Sequence, residues 1–432
     1  MNKMDKKELL KKVIDAIQNV ADTLKIHPIE VTKSLLISNS DVTDWDIRLV
    51  GSLDLIKKSR FPITNKQLSD IKEQKDIKEY IHELETKLSE KTLTEEKVLE
   101  AIEKNITPVK IKSYKSKTTN KPKLVRDIVA VLTDTHYGLI VNKEEVNNVN
   151  QYGWMEASRR TAYFIQQICE YKLNRRDEVQ NLHLVINGDI LCGSIHGLKD
   201  RTAELMIFQV NGAIHILSHA IARLSENFKN VVVHAQAGNH EDLAHRREGN
   251  HRVHAQKYDN YANMVYFALS AIFKDTPNVS FNMNKSLQLD FNTPAGRVLV
   301  AHGDILFGKE LGNVGAKINT KGLGDAIRRY NAGEISRSKD PIKMLILGHC
   351  HSSAHFITDD GVEVCIVPSL SGTDPFAFSL NFNSSITRQL IFESTADFMF
   401  GDSRNIQVDL ADNMDYLDEI IPIFQNELKW SK

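Results

Sequence analysis

The spacing of hydrophobic positions changes along the chain, and the changes divide it into regions. Over residues 8–24, Leu9, Leu10, Val13, Ile14, Ile17, Val20, Ala21 and Leu24 recur at intervals of three and four, which predicts an amphipathic helix. Pro28 opens a second short helix with Val31, Leu35 and Leu36 inward. Asp41 or Thr43 caps a third through Ile47, Val50, Leu53 and Ile56. Residues 1–60 therefore read as an all-α unit, either a helix-turn-helix module or another small helical bundle. Residues 61–104 are polar and helical. Ile77, Ile81, Leu84 and Leu88 stand at 4-3-4 spacing, too few repeats for a coiled coil, and fit a helical connector or a dimer contact. Residues 105–126 carry Lys110, Lys112, Lys115, Lys117, Lys121, Lys123 and Arg126 without one Asp or Glu, and read as an extended basic linker.

Beyond Arg126 the period shortens. The apolar runs Ile128–Leu132, Leu182–Ile186, Val231–His234, Val298–Val300 and Met344–Leu347 predict buried strands. Helical stretches at Met155–Leu173, Thr202–Phe228 and Tyr258–Phe273 lie between the first four runs. Strands alternating with helices predict an α/β fold, a layered sheet covered on both faces. From Ala396 a C-terminal extension holds an amphipathic helix with Leu417, Ile420, Ile421, Phe424 and Leu428, which caps the core or mediates self-association.

Composition narrows the class. A chain of 432 residues is long for one domain, and 41% hydrophobic residues suffice for a buried core. The formal net charge of −1 leaves any nucleic-acid contact to local patches. Cys169, Cys192, Cys350 and Cys365 form no CxxC pair, which excludes a zinc ribbon and fits a reducing cytoplasm. The charged N-terminus and the absence of an apolar run of ~18 residues predict a soluble protein without a membrane partner.

The candidate chemistry sits where the strands end. Asp134-Thr135-His136 follows the first apolar run, Gly188-Asp189 the second, and Gly238-Asn239-His240-Glu241 the third. His302-Gly303-Asp304 follows the fourth and Gly348-His349-Cys350-His351 the fifth. Ligands of open α/β sheets bind outside the carboxyl ends of the strands, so these ends deliver carboxylate, imidazole and amide groups to one crevice. Two divalent ions ~3.5–4 Å apart need a bridging carboxylate and a mixed oxygen and nitrogen shell, and that mixture suits Mn²⁺, Fe²⁺ or Zn²⁺ better than Mg²⁺. The neighbouring glycines let the backbone leave each strand without a Cβ in the way. Each cluster alone is commonplace; the ordered set is not.

The series DTH, GD, GNHE, HG and GHCH resembles the calcineurin-like metallophosphoesterase superfamily over residues 127–395. The resemblance implies a two-sheet β-sandwich flanked by helices, with two metals, Mn²⁺ foremost, at its edge. It implies that Asp134, His136 and His351 bind the first ion, that Asp189 bridges, and that Asn239, His302 and His349 complete the second site. His240 would then protonate the leaving oxygen. Protein phosphatases of this superfamily carry an acidic residue and an arginine where this chain has Cys192 and Gly193, and a glycine where it has Asp304. Those departures weaken a protein-phosphatase reading. They also leave open which carboxylate orients His240, with Asp242 a candidate by proximity.

Two basic segments point to an extended phosphate ligand. One follows His240 and brings Arg246, Arg247, His251 and Arg252; the other, read as a glycine-rich mobile lid, brings Lys317, Lys321, Arg328, Arg329 and Arg337. With the basic linker they favour DNA as partner and Arg246, Arg247, Arg252, Arg328 and Arg329 as its contacts. The chain then looks closest to the DNA-repair nuclease branch, similar to the SbcD type of exonuclease subunit. The stretch Pro368–Pro375 resembles phage-encoded relatives. Two other readings stay open: a nucleotide or other small-molecule phosphodiesterase or phosphatase, and a DNA-binding assembly protein with a vestigial metal site.

Overall fold

The computed structural model describes residue 114 and residues 125–173, 179–193, 204–242, 257–283, 286–312, 317–379 and 387–410. The helix-turn-helix reading, the connector, nearly all of the basic linker, Arg246, Arg247, Arg252 and the C-terminal amphipathic helix fall outside these residues.

Every residue of Ile128–Leu132 is fully buried, so this strand is covered on both faces rather than alternating in and out. It is the core of β1 (Arg126–Leu132), which pairs in parallel with β2 (Val179–Asn187); β2 pairs in parallel with β3 (Val231–Gln236), and β3 with β4 (Val279–Met283). On its other side β1 pairs antiparallel with β10 (Arg388–Thr395), and β10 with β11 (Ser403–Gln407). The result is a six-stranded sheet in the order β11-β10-β1-β2-β3-β4.

A second, five-stranded sheet has the order β5-β6-β7-β9-β8. Its strands are β5 (Gln288–Thr293), β6 (Gly296–Ala301), β7 (Ile342–Leu347), β8 (Ala354–Ile357) and β9 (Glu363–Ile366), with β6, β7 and β9 parallel. Val129, Val131, Val185, Leu390 and Phe392 of the first sheet pack against Leu289, Phe291, Val298, Val300, Met344 and Ile346 of the second, which makes a two-sheet sandwich.

Helices close both outer faces. α1 (Trp154–Leu173), α2 (Met206–Asn227) and α3 (Tyr261–Ile272) are the crossovers between successive parallel neighbours of the first sheet. A constant crossover hand puts all of them on one face, away from the second sheet. α4 (Gly308–Leu311) and α5 (Thr320–Ser336) cover the second sheet, with Leu311, Leu323 and Ile327 against Leu299, Leu345 and Leu347. α6 (Pro375–Ser379) is a short turn of helix before β10.

Two expectations are corrected. The first sheet continues past residue 395 into β11, whose polar sequence SRNIQ hides an edge strand from hydrophobic periodicity. The segment read as a glycine-rich lid is largely helical. Asn319 caps α5 by accepting from the Gly322 amide, and Leu323, Ile327 and Glu334 form its buried face despite Gly322, Gly324 and Gly333. No helix among the described residues is long and apolar enough to cross a membrane.

Candidate metal centre

The parallel strands β1, β2, β3, β6 and β7 all deliver their carboxyl ends to one edge of the sandwich. Asp134, His136, Asp189, His302, His349 and His351 meet there in three overlapping groups. These are Asp134 with His136 and His351, His136 with Asp189 and His240, and Asp189 with His302 and His349; within each group the ligand atoms lie within 4.8 Å of one another. His136 and Asp189 are the shared members, so the groups form a chain with Asp189 toward its middle.

The carboxylates are aimed by backbone amides. Asp189 Oδ1 accepts from the Asn239 and His240 amides at 2.8 and 2.9 Å, which leaves Oδ2 facing inward, 3.0 Å from His302 Nε2 and 3.8 Å from His240 Nε2. Asp134 accepts from the Thr133 hydroxyl at 2.5 Å and the His349 amide at 3.2 Å, and stands 3.4 Å from His351 Nε2. Behind Asp134, its carbonyl receives the Ser369 hydroxyl and the Leu370 amide, and Arg160 holds the Leu370 and Ser371 carbonyls. The stretch Pro368–Pro375 is thus a brace for the Asp134 loop.

The imidazoles are aimed too. His302 Nδ1 donates to the Asn187 carbonyl at 2.8 Å, which turns its Nε2 toward Asp189. His136 Nε2 and His351 Nε2 face each other at 3.2 Å. Asn239 Oδ1 and His349 Nδ1 are buried without a hydrogen-bond partner. Buried acceptors are ordinarily paired, and acceptors converging on acceptors ask for a cation between them. The ligand set fits divalent ions: carboxylate oxygen, amide oxygen and imidazole nitrogen in one largely buried cluster.

Charge coupling tells the same story. Burial opposes ionisation of Asp189, but His302 and His240 outweigh it and hold the carboxyl well below its usual range. Burial likewise opposes a charged His302, yet the Asp189 carboxylate raises it to about 10. Burial, reinforced by His302, pushes His349 down to about 4, and burial with His240 pushes His136 well below its ordinary value.

The backbone is strained at the same places. Asp134, His136, Asp189, His349 and His351 all have positive φ, between 46° and 67°. Non-glycine residues in this region cost roughly 1–3 kcal/mol each and cluster where function over-determines the conformation. Gly238 serves closeness rather than a turn: a Cβ there would overlap the Asp189 carboxylate and amide.

His240 lies at the rim with its ring 4.6 Å from that of His136, and its Nδ1 is 2.9 Å from the Cys192 carbonyl. A backbone carbonyl therefore sits at the position where a carboxylate was sought. Asp242 pairs through its backbone with Asn260. A side chain at Gly193 would collide with the His240 carbonyl, so the volume an arginine would need is filled by backbone.

Arg328 and Arg329 are exposed on α5. Arg328 pairs with Asp325 at 3.0 Å and with Asp360 at 2.8 Å, the latter in the turn before β9 and so at the end of that strand opposite the ligands. Sequence reasoning missed Glu241, whose Oε1 receives the Ile190 and Leu191 amides, and Asn187, whose carbonyl aims His302. Glu241 was visible only as the last letter of GNHE; Asn187 carries no signal.

No family model and no curated protein matches the chain. Among solved structures, it is similar to a dimetal phosphatase from Danio rerio (11% identity, 67% of this chain and 100% of that one, TM-score 0.33). It is also similar to a 5'-nucleotidase from Candida albicans (12%, 71% and 59%, TM-score 0.35) and to a phosphopantetheinyl hydrolase from Mycobacterium tuberculosis (10%, 60% and 94%, TM-score 0.24). Likeness at this level assigns no activity.

Proposed function

We propose that the chain is a metal-dependent phosphoesterase of the calcineurin-like kind, and that it hydrolyses phosphodiester bonds. The observation that carries this is the convergence of Asp134, His136, Asp189, His302, His349 and His351, with the buried, partnerless Asn239 Oδ1 beside them. Asp134, His136 and His351 would hold one cation, Asn239, His302 and His349 another, and Asp189 would serve both. Two divalent cations there would polarise phosphoryl oxygens and lower the pKa of bound water, the chemistry an in-line displacement needs.

The protein's own groups do the rest. The Asn239 and His240 amides lock Asp189, and Asn187 locks His302, so the shell is preformed. With Nδ1–H held by the Cys192 carbonyl, the other ring nitrogen of His240 would be the one to carry a proton to the leaving oxygen. Its side chain is 17% exposed, enough to meet a substrate from solvent.

We propose DNA as the substrate. The support is the basic character of residues 105–126 and of residues 243–256, which follow His240-Glu241-Asp242 in sequence. A small phosphodiester or phosphomonoester is the second reading, favoured by the pairing of Arg328 with Asp325 and Asp360, which neutralises part of the α5 charge. Mn²⁺-dependent cleavage of end-labelled single- and double-stranded DNA, beside bis-p-nitrophenyl phosphate and p-nitrophenyl phosphate, tests both. DNA cleavage lost in His240→Ala supports the nuclease. Hydrolysis of the chromogenic substrates alone moves the substrate to a small phosphoester. No metal-stimulated hydrolysis of any of them refutes the enzyme and leaves a binding protein.

A further inference from the structure

Where the protein phosphatases of the superfamily carry a glycine after the HG pair, this chain has Asp304, and Asp304 is not idle. Its Oδ1 lies 2.8 Å from the Lys257 ammonium, with the two side chains 5% and 2% exposed. The same ammonium donates to the Ala237 carbonyl at 2.9 Å. Ala237 stands two residues before Asn239, and Asp304 two residues after His302. The pair therefore ties the end of β3, in one sheet, to the end of β6, in the other.

Lys257 does not act alone on the β3 end. Tyr266 donates to the Gln236 carbonyl at 2.9 Å and Asn260 to the Gly238 carbonyl at 3.2 Å. Three consecutive carbonyls, at 236, 237 and 238, each receive a side chain from the segment 257–266. Farther along, the Tyr261 amide donates to the Glu241 carbonyl at 2.9 Å. The backbone presenting Asn239 and His240 is thereby held from outside, and Lys257, through Asp304, also reaches across to the second sheet.

A buried ion pair is poor value as stability, because desolvation consumes most of the Coulomb gain. What it does supply is register. Here the register directly concerns Asn239 and His302, ligands of one ion, and reaches the Asp134, His136 and His351 ion only through the shared Asp189 that the Asn239 amide holds. We infer that Lys257, together with Asp304, is a positioning pair that sets the geometry of the Asn239–His302–His349 ion and acts on the other ion far less, through Asp189 alone. The inference rests on the metal-site reading above.

The test is Mn²⁺ binding to the full-length chain, with free Mn²⁺ counted by electron paramagnetic resonance and the spin-coupled signal of paired ions followed alongside. Wild type is expected to bind two ions and show the coupled signal. Asp304→Asn, isosteric and still able to accept from the Lys257 ammonium, should bind one ion nearly as before and the second 10- to 100-fold more weakly, the usual effect of losing an outer partner, with the coupled signal lost at stoichiometric metal. Lys257→Met should do the same, and the double variant should lose no more than either single, since the pair acts as one unit. Where Lys257→Met does not fold, Asp304→Asn decides. Two ions at unchanged affinity in Asp304→Asn overturn the inference with the metal site intact. So does equal weakening of both ions, or tighter second-ion binding in Lys257→Met, which would make Asp304 a competing ligand. A wild-type chain that binds no cation overturns the metal-site reading and this inference with it.

Discussion

Replacing Gly238 by alanine tests the site through its least chemical member. A Cβ built there overlaps Asp189 Oδ1 and the Asp189 amide nitrogen and stands 2.8 Å from Asp189 Cγ. Ordinary carbon contacts begin at ~3.5 Å, so the carboxyl carbon has to retreat by roughly 0.7 Å and its oxygen by about 1 Å or more. The oxygen displaced is the one that the Asn239 and His240 amides hold, so the retreat rotates Oδ2 away from His302 as well. A misplacement of ~1 Å in a reacting constellation costs about 100-fold in rate. Overpacking adds about 1–3 kcal/mol of destabilisation. Gly153→Ala is the control, since nothing lies within 4 Å of a Cβ at that position. The assay is metal content by mass spectrometry, kcat on bis-p-nitrophenyl phosphate and the urea midpoint. Gly238→Ala is expected to lose bound metal and about 100-fold in kcat, with Gly153→Ala unchanged. Full metal content and kcat within threefold of wild type in Gly238→Ala would refute the placement of Asp189.

His240→Ala is expected to keep its full metal complement while kcat falls by about 10²–10⁴-fold, the range for a missing general acid; loss of metal would reassign His240 as a ligand. Glu241→Ala removes the acceptor of two buried amides, those of Ile190 and Leu191, at about 1–3 kcal/mol each, while Glu241→Gln retains the acceptor oxygen. Urea unfolding should separate the two variants by at least ~2 kcal/mol, and equal midpoints contradict the clamp. His234 is buried between His183 and Phe291, and burial, then His183, hold its pKa well below the ordinary value of 6.5. A base depressed on folding contributes stability that is intact above its unfolded pKa and is lost as the pH falls below ~6.5, by at most ~1.4 kcal/mol per pH unit. His234→Gln should flatten the decline of the unfolding free energy between pH 6.5 and 5, and an unchanged slope assigns that decline elsewhere.

The site was more legible in the sequence than the scaffold around it. Each ligand cluster followed a strand buried on both faces, and such strands announce themselves as uninterrupted apolar runs. β4, β5, β8, β9, β10 and β11 were not anticipated from the same evidence. In β5 the pattern QLDFNT alternates, with Leu289 and Phe291 inward and Asp290 out, and in β8 and β11 the strands are short and half exposed. Hydrophobic periodicity over such short, polar strands is indistinguishable from loop. α5 was misread because its glycines outweighed Leu323 and Ile327 in the reading, whereas burial against the second sheet outweighs their intrinsic cost in the fold.

The partners of the ligands were the hardest to see. The Cys192 carbonyl that holds His240 and the Asn187 carbonyl that holds His302 are backbone groups, which no residue type advertises. Lys257 and Asp304 are 47 positions apart and meet only because β3 and β6 end at the same edge of two different sheets. A pairwise contact of that kind is a property of topology, not of local sequence.

The central claim is that two cations share Asp189 at the carboxyl ends of the strands. Anomalous diffraction from Mn²⁺-soaked crystals tests it most directly. The account predicts two peaks ~3.5–4 Å apart, one among Asp134, His136 and His351, the other among Asn239, His302 and His349, with Asp189 between them. A crystal with full Mn²⁺ occupancy elsewhere and no peak beside Asp189 would contradict it.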